Sequence, residues 1–230
     1  MTMKTPALAL LILMLLWGSA HGWTAADSEA LLDRMETAYQ KVQEYETRLV
    51  ITGFGKDDAF KSRQELIYRF KKPNRLRIDF ITPHAGMTIL YPASDGKVLL
   101  QPSGWASVFT LRLEPRNSLL EISPGQQIDQ TDHGVLIANI RRTLTDMFQG
   151  ELEVQETPDR TVLNVLSDNT FRRGVPTRYL FTIDNRLWLP VSVTEMEPNG
   201  ALRRTVDYRD IRINPELSEA LFVLLDPVLD

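Results

Sequence analysis

The sequence predicts an α+β fold: an open antiparallel β half-barrel of about 10–11 strands, with an N-terminal helix and a helical lid insertion. Three observations predict it. A helical apolar period over residues 27–45 gives way to a period of two from Thr47 onward. Short turn signals separate the strand-like runs, which suits antiparallel hairpins and leaves no room for parallel crossovers. One stretch in the middle of the chain breaks the rhythm and then regains helical spacing. An antiparallel sheet this long must curl, and a helix packed inside the curl fills its hollow.

The N-terminal segment comes first. Lys4 precedes the uninterrupted apolar run Ala7–Trp17, and Gly18-Ser19-Ala20-His21-Gly22 then supplies small residues. This three-part pattern predicts a secretory signal peptide over residues 1–22, cleaved near Gly22, with 23–230 as a single domain beginning around Trp23. Eleven apolar residues fall short of the roughly 20 that cross a bilayer. The chain has no cysteine, so neither a disulfide nor a lipidated cysteine is available. The expectation is a periplasmic, unlipidated, monomeric protein.

Asp27–Tyr45 reads as an amphipathic helix, because Leu31, Met35, Ala38, Val42 and Tyr45 fall on one stripe. Asp27 or Ser28 is the expected cap. Strands follow over Thr47–Phe54, Ser62–Lys71, Arg75–Ile81, Thr88–Tyr91 and Lys97–Gln101. The clearest alternation sets Leu66, Tyr68 and Phe70 against Glu65, Ile67 and Arg69, then Leu76, Ile78 and Phe80 against Arg75, Arg77 and Asp79. Lys72-Pro73-Asn74, Thr82-Pro83-His84-Ala85-Gly86 and Asp95-Gly96 are the breakers.

Pro102–Gln130 is irregular, with three prolines among Trp105, Val108, Phe109, Leu111 and Leu113. Thr131–Phe148 is helical: Leu136, Ile140, Leu144 and Met147 or Phe148 share a face, and Asp132 caps it. Strands resume over Glu151–Gln155, Thr161–Ser167, Thr177–Asp184, Leu187–Met196 and Leu202–Ile213. The chain closes on a short helical turn within Pro215–Leu225, with Leu217, Leu221 and Phe222 as an apolar latch.

Charge narrows the partners. The formal net charge is −4, and loss of residues 1–22 would remove one lysine and no acid. An acidic protein lacks the basic face that nucleic acid demands, so no nucleic-acid partner is expected. Catalytic chemistry is equally thin. His84 lies in a Pro-Gly loop and His133 near a helix start, and no Gly-x-Ser-x-Gly elbow accompanies either. Both read as solvated residues, as do the doublets Arg141-Arg142, Arg172-Arg173 and Arg203-Arg204. Asp132-His133 is an adjacent pair without metal-ligand spacing, and phosphate loops are absent. No catalytic residue, metal site or cofactor is assigned, and the chain is not expected to be an enzyme.

Tyr68–Phe80, followed by Pro83 and then Asp95-Gly96-Lys97, resembles the periplasmic carriers of outer-membrane lipoproteins and their wider superfamily. The shared order is a strand ending in a basic residue and Pro, a strand of Arg and aromatics, a Pro turn, another strand and an Asp-Gly-Lys hairpin. The motif covers about thirty residues, whereas the order of elements extends over nearly the whole of 23–230. The resemblance implies an unclosed barrel whose mouth is covered by helices, with acyl chains held in the hydrophobic cavity between. It also implies a clasp, for the basic residue before the Pro is an Arg in those carriers and holds the lid shut. Lys72 stands there in this chain, and a lysine lacks the planar fork for the same multi-carbonyl clasp. The lid should therefore be looser or closed in another way, and the Pro- and aromatic-rich middle segment is a second departure.

The function expected is a carrier or chaperone for lipid or the acyl chains of lipoproteins, exchanging with inner-membrane donor and outer-membrane acceptor proteins. Its candidate lining is Leu66, Tyr68, Phe70, Leu76, Ile78 and Phe80, with Trp105, Phe109, Leu136, Ile140 and Leu144 from the insertion. Ordinary core is the competing reading of each. The competing functions are a lipid-sensing or regulatory module, a partner-binding module on the same fold, and a hydrolase with unrecognised paired carboxylates.

Overall fold

The computed structural model describes residues 23–117, 120, 127–145, 152–168, 170 and 174–224. The signal peptide over 1–22, Met147 and Phe148 at the end of the lid face, and Arg172-Arg173 lie outside the described residues.

The first helix, α1 (Ala25–Lys41), starts two residues before the Asp27 expected from the sequence. Thr24 is its cap, and Thr24 and Asp27 bond each other's backbone amides in a capping box. Asp27 and Ser28 are therefore inside the helix, not at its boundary. Leu31, Leu32 and Met35 bury its inner face. The helix stops before Val42, and Tyr45, which continues the helical spacing, belongs to the first strand. The β-branched run beyond it takes precedence over the period.

Strands β1 (Glu44–Phe54), β2 (Phe60–Lys71), β3 (Arg75–Thr82), β4 (Thr88–Tyr91), β5 (Val98–Gln101) and β6 (Leu111–Leu113) form a continuous meander. Helix α2 (His133–Thr145) follows, and then β7 (Leu152–Glu156), β8 (Arg160–Ser167), β9 (Thr177–Asp184), β10 (Leu189–Met196) and β11 (Leu202–Ile213) form a second meander. β1 joins the two, pairing antiparallel with β2 on one side and β11 on the other. The result is one open antiparallel sheet of eleven strands with β6 and β7 at its margins. Within the region read as irregular, Leu111–Leu113 adds a short edge strand. A 3-10 turn over Glu219–Phe222 packs near β3, where Arg77 donates to the Leu221 carbonyl.

Register decides which row faces inward. Leu66, Tyr68 and Phe70 stand opposite Phe80, Ile78 and Leu76, and Leu49 and Tyr45 of β1 stand opposite Leu66 and Phe70. This row joins Tyr179, Phe181, Ile183 and Val193 from the second meander and both helices in one apolar core. The opposite face carries ion pairs: Arg69 bridges Glu46 and Asp79 across strands, and Arg77 pairs with Asp79 within β3. Burial of the inner row is the main stabilising term, at roughly 25 cal/mol per Å² of apolar surface. The part-buried pairs on the outer row offset much of their own desolvation and add less.

Candidate functional site

The concave face and the helix over it form the candidate site. Helix α2 buries Leu136, Ile137, Ile140 and Leu144 in the same core as the inner strand residues. Its polar residues fasten it at three places. Near its start, Asp132 Oδ1 accepts from the Gly134 and Val135 amides, at 2.7 and 3.3 Å, which confirms the cap. The same oxygen accepts from the Tyr39 hydroxyl of α1 at 2.7 Å. Along its length, the Arg141 guanidinium bonds Glu29, Asp33 and Glu36 of α1. Toward its end, Thr143 and Thr170 hydroxyls are 2.6 Å apart.

The start of α2 is embedded in aromatic rings. Tyr45 stacks with Tyr68, and the His133 ring lies edge-on to Tyr45 and tilted against Tyr208. The Tyr68 hydroxyl lies 3.0 Å from Thr131 Oγ1, and the Tyr45 hydroxyl accepts from the His133 amide at 3.3 Å. Burial pushes the phenols of Tyr39, Tyr45, Tyr68 and Tyr208 above their ordinary range, so they remain protonated. Gly134 is required by this packing: a Cβ there would stand 2.4 Å from Tyr39 Cε1.

His133 corrects the reading of a solvated helix end, for it is 0% exposed. Its Nε2 lies 3.0 Å from the Pro190 carbonyl oxygen, which can only accept, so the neutral ring carries its proton there. Nδ1 is buried and has no partner among the described residues. Desolvation lowers the pKa from 6.5 to about 4, outweighing the Pro190 bond and the charge of Asp132, which both raise it. His84 is exposed, as expected.

Lys72 departs from expectation in a different way. Its Nζ donates to the Tyr39 and Gln40 carbonyls at 2.9 and 3.3 Å and lies 4.6 Å from the centroid of the Tyr39 ring. One ammonium reaches two acceptors because the last carbonyls of a helix point the same way, and the Tyr39 oxygen, which also accepts from the Val42 amide at 3.1 Å, has a second lone pair to offer. A clasp is thus made without the guanidinium fork, and it grips α1. Tyr39 relays the grip to α2 through Asp132.

Nine of the eleven candidate lining residues come together here. Leu66, Tyr68, Phe70, Leu76, Ile78, Leu136, Ile140 and Leu144 are buried in the common core, and Phe80 packs against it partly buried. Trp105 and Phe109 do not join them. They are 88% and 56% exposed, together with Val108 and Leu111, on the turn before β6 and the edge strand itself. Sequence reasoning also missed Arg204. Its guanidinium points into the concave side and pairs with the buried Glu195 directly opposite in the register, so the doublet is not solvated at this position.

Among the described residues, side chains nearly fill the space between α2 and the sheet. A cavity of about 30 Å³ lies between α2 and β10–β11, and another of about 20 Å³ lies beside Tyr68, Ile128 and Asp132. Each has the volume of about one water and neither accommodates a hydrocarbon chain. Among the described residues, no group of three or more His, Asp or Glu could hold a metal ion. No helix of the described residues is long and apolar enough to cross a membrane.

No family model matches the chain, and no curated protein matches it. Solved structures do. The chain is similar to one in the Pseudomonas aeruginosa MucA/MucB complex, with TM-score 0.45 and 13% identity over 86% of this chain and 61% of that one. It is similar to a LolA superfamily protein from Nitrosomonas europaea, with TM-score 0.39 and 12% identity over 85% and 97%. It is also similar to the Mycobacterium tuberculosis lipoprotein LppX, with TM-score 0.45 and 9% identity over 83% and 98%. At these scores the likenesses carry no functional weight.

Proposed function

We propose that the chain is a periplasmic carrier or chaperone that shelters the acyl chains of a lipid or lipidated protein between the half-barrel and α2. The observation that carries this reading is the covered concave face. Its walls are an apolar row on an open sheet, and its cover is one helix fastened by a small set of polar contacts. Each CH₂ hidden from water is worth about 0.8 kcal/mol, so an apolar hollow with a movable cover suffices and no catalytic group is needed. Loading requires α2 to leave the inner row, since the two cavities beneath it and at its entry are too small. Donor and acceptor proteins at the two membranes would supply and receive the cargo.

Native mass spectrometry of the protein purified gently from its own envelope tests the reading, and a bound acyl-containing species is the expected result. Uptake of a fluorescent fatty-acid probe gives the second arm. Ile140→Asp should abolish uptake while the far-ultraviolet signal of the sheet persists, because Ile140 is fully buried in the cover. Uptake by a folded Ile140→Asp protein would remove α2 from the site.

A partner-binding module is the second reading. Trp105, Val108, Phe109 and Leu111 favour it, being exposed apolar residues close together at the margin of the sheet. Failure of both acyl experiments would shift the assignment to that surface.

A further inference from the structure

The concave wall contains a charged pair, and it is placed where a carrier for plain hydrocarbon has no use for it. Glu195 of β10 and Arg204 of β11 are directly opposed in the register, one pleat from the core pair Val193 and Val206. Their side chains are only 9% and 14% exposed. A buried ion pair incurs a desolvation penalty that its own attraction barely offsets, and an apolar pair of similar size would hold the sheet as well. Stability therefore does not explain it.

The guanidinium is also incompletely used. It has five N–H donors, and Nη2 serves Glu195. Nε is buried and finds no acceptor among the described residues. Arg204 lines the 30 Å³ cavity under α2 together with Gln130, Thr131, Asn139 and Tyr208, while Leu136, Val193 and Val206 supply the apolar part of its wall. The cavity wall thus combines a cation and polar side chains with residues of the apolar row.

We infer that Arg204 and the pocket under α2 bind an anionic group, a carboxylate or a phosphate, carried at the end of an acyl chain. The inference rests on the carrier reading and adds to it the class of cargo and its orientation. The anion accepts from the unused donors of the guanidinium, and the chain runs along Leu136, Val193 and Val206. Glu195 competes for the same cation, so it tunes the site: neutralising it should strengthen anion binding.

The test compares dodecanoate, dodecanol and acetate on the full-length protein by titration calorimetry at pH 8. Wild type should prefer dodecanoate to dodecanol by at least about tenfold, the size of one charge-assisted hydrogen bond in a desolvated site. Acetate, with no chain, should not bind at millimolar concentration. Arg204→Met should erase the preference and keep the dodecanol affinity, whereas Glu195→Gln should widen the preference. Should Arg204→Met misfold because Glu195 is left buried without its partner, the double variant Glu195→Gln/Arg204→Met removes that charge and must show the same loss of preference.

Equal affinity for dodecanoate and dodecanol in wild type, or a preference that survives the loss of Arg204, would overturn the anion site and leave the carrier reading standing. Binding of acetate as tight as that of dodecanoate would make this a site for free small anions and overturn the lipid assignment. If neither chain binds, the carrier reading fails and this inference fails with it.

Discussion

Strands β2 and β11 are both twelve residues long and flank β1 on opposite sides, yet they present different inner rows. Leu66, Tyr68 and Phe70 of β2 are buried and apolar apart from one hydroxyl, which meets Thr131. Arg204, Val206 and Tyr208 of β11 are half-buried and flank the small cavity. The β2 half of the vault therefore turns an apolar row inward, with a cavity of about 20 Å³ at its edge, whereas the β11 half sets a charged side chain beside its cavity of about 30 Å³. The cover is correspondingly asymmetric, as the loop entering α2 is bonded to Tyr68 while the helix passes over the cavity beside Arg204.

The difference can be broken or sharpened by substitution. The largest effect should come from Leu66→Ala, which leaves a void in the β2 half and should cost about 3 kcal/mol in urea unfolding. Val206→Ala, with less apolar surface to lose, should cost about 1 kcal/mol. Equal losses would show that the two halves are packed alike.

His133 comes next, because its ring touches both β1 and β11. The unfolded chain binds a proton at the ordinary imidazole pKa of 6.5, but the folded chain binds it only near 4. The stability gained from a neutral buried ring is full above pH 6.5 and is lost as the pH falls toward 4, by up to about 3 kcal/mol. Wild type should thus lose more stability than His133→Gln between pH 7 and pH 4, as read by thermal unfolding of the two proteins side by side. Parallel curves would show that the ring is accessible to solvent.

Lys72→Met should have the smallest effect, about 1 kcal/mol, since the clasp is partly exposed. It should appear as faster amide exchange at the end of α1, and Lys72→Arg should restore protection. An unchanged exchange rate would leave the clasp without a role.

The inner row of β2 was legible because polar and apolar residues alternate there over several pleats. The inner row of β11 was not. Arg203 and Arg204 occupy opposite faces of a strand, and nothing local tells which one turns inward. The register opposing Arg204 to Glu195 decides it, and that register is set by the whole sheet. His133 was illegible for a related reason: its burial depends on Tyr45, 88 residues earlier, and on the docking of α2. Tyr45 was misplaced in the helix because one extra apolar residue at helical spacing is weaker evidence than the β-branched run that follows. Trp105 and Phe109 show the converse error, as aromatic character alone does not place a side chain inside. The bonding capacity of Lys72 was underrated because the two carbonyls it meets belong to a helix end.

The order of the strands has a mechanical consequence. The chain leaves the sheet at one margin, β6, forms α2, and re-enters at the other margin, β7. The cover is thus a strap anchored at both rims and not a flap on a single hinge. Whatever lifts it from the concave face cannot carry it away, and its return is a unimolecular event whose rate is independent of protein concentration.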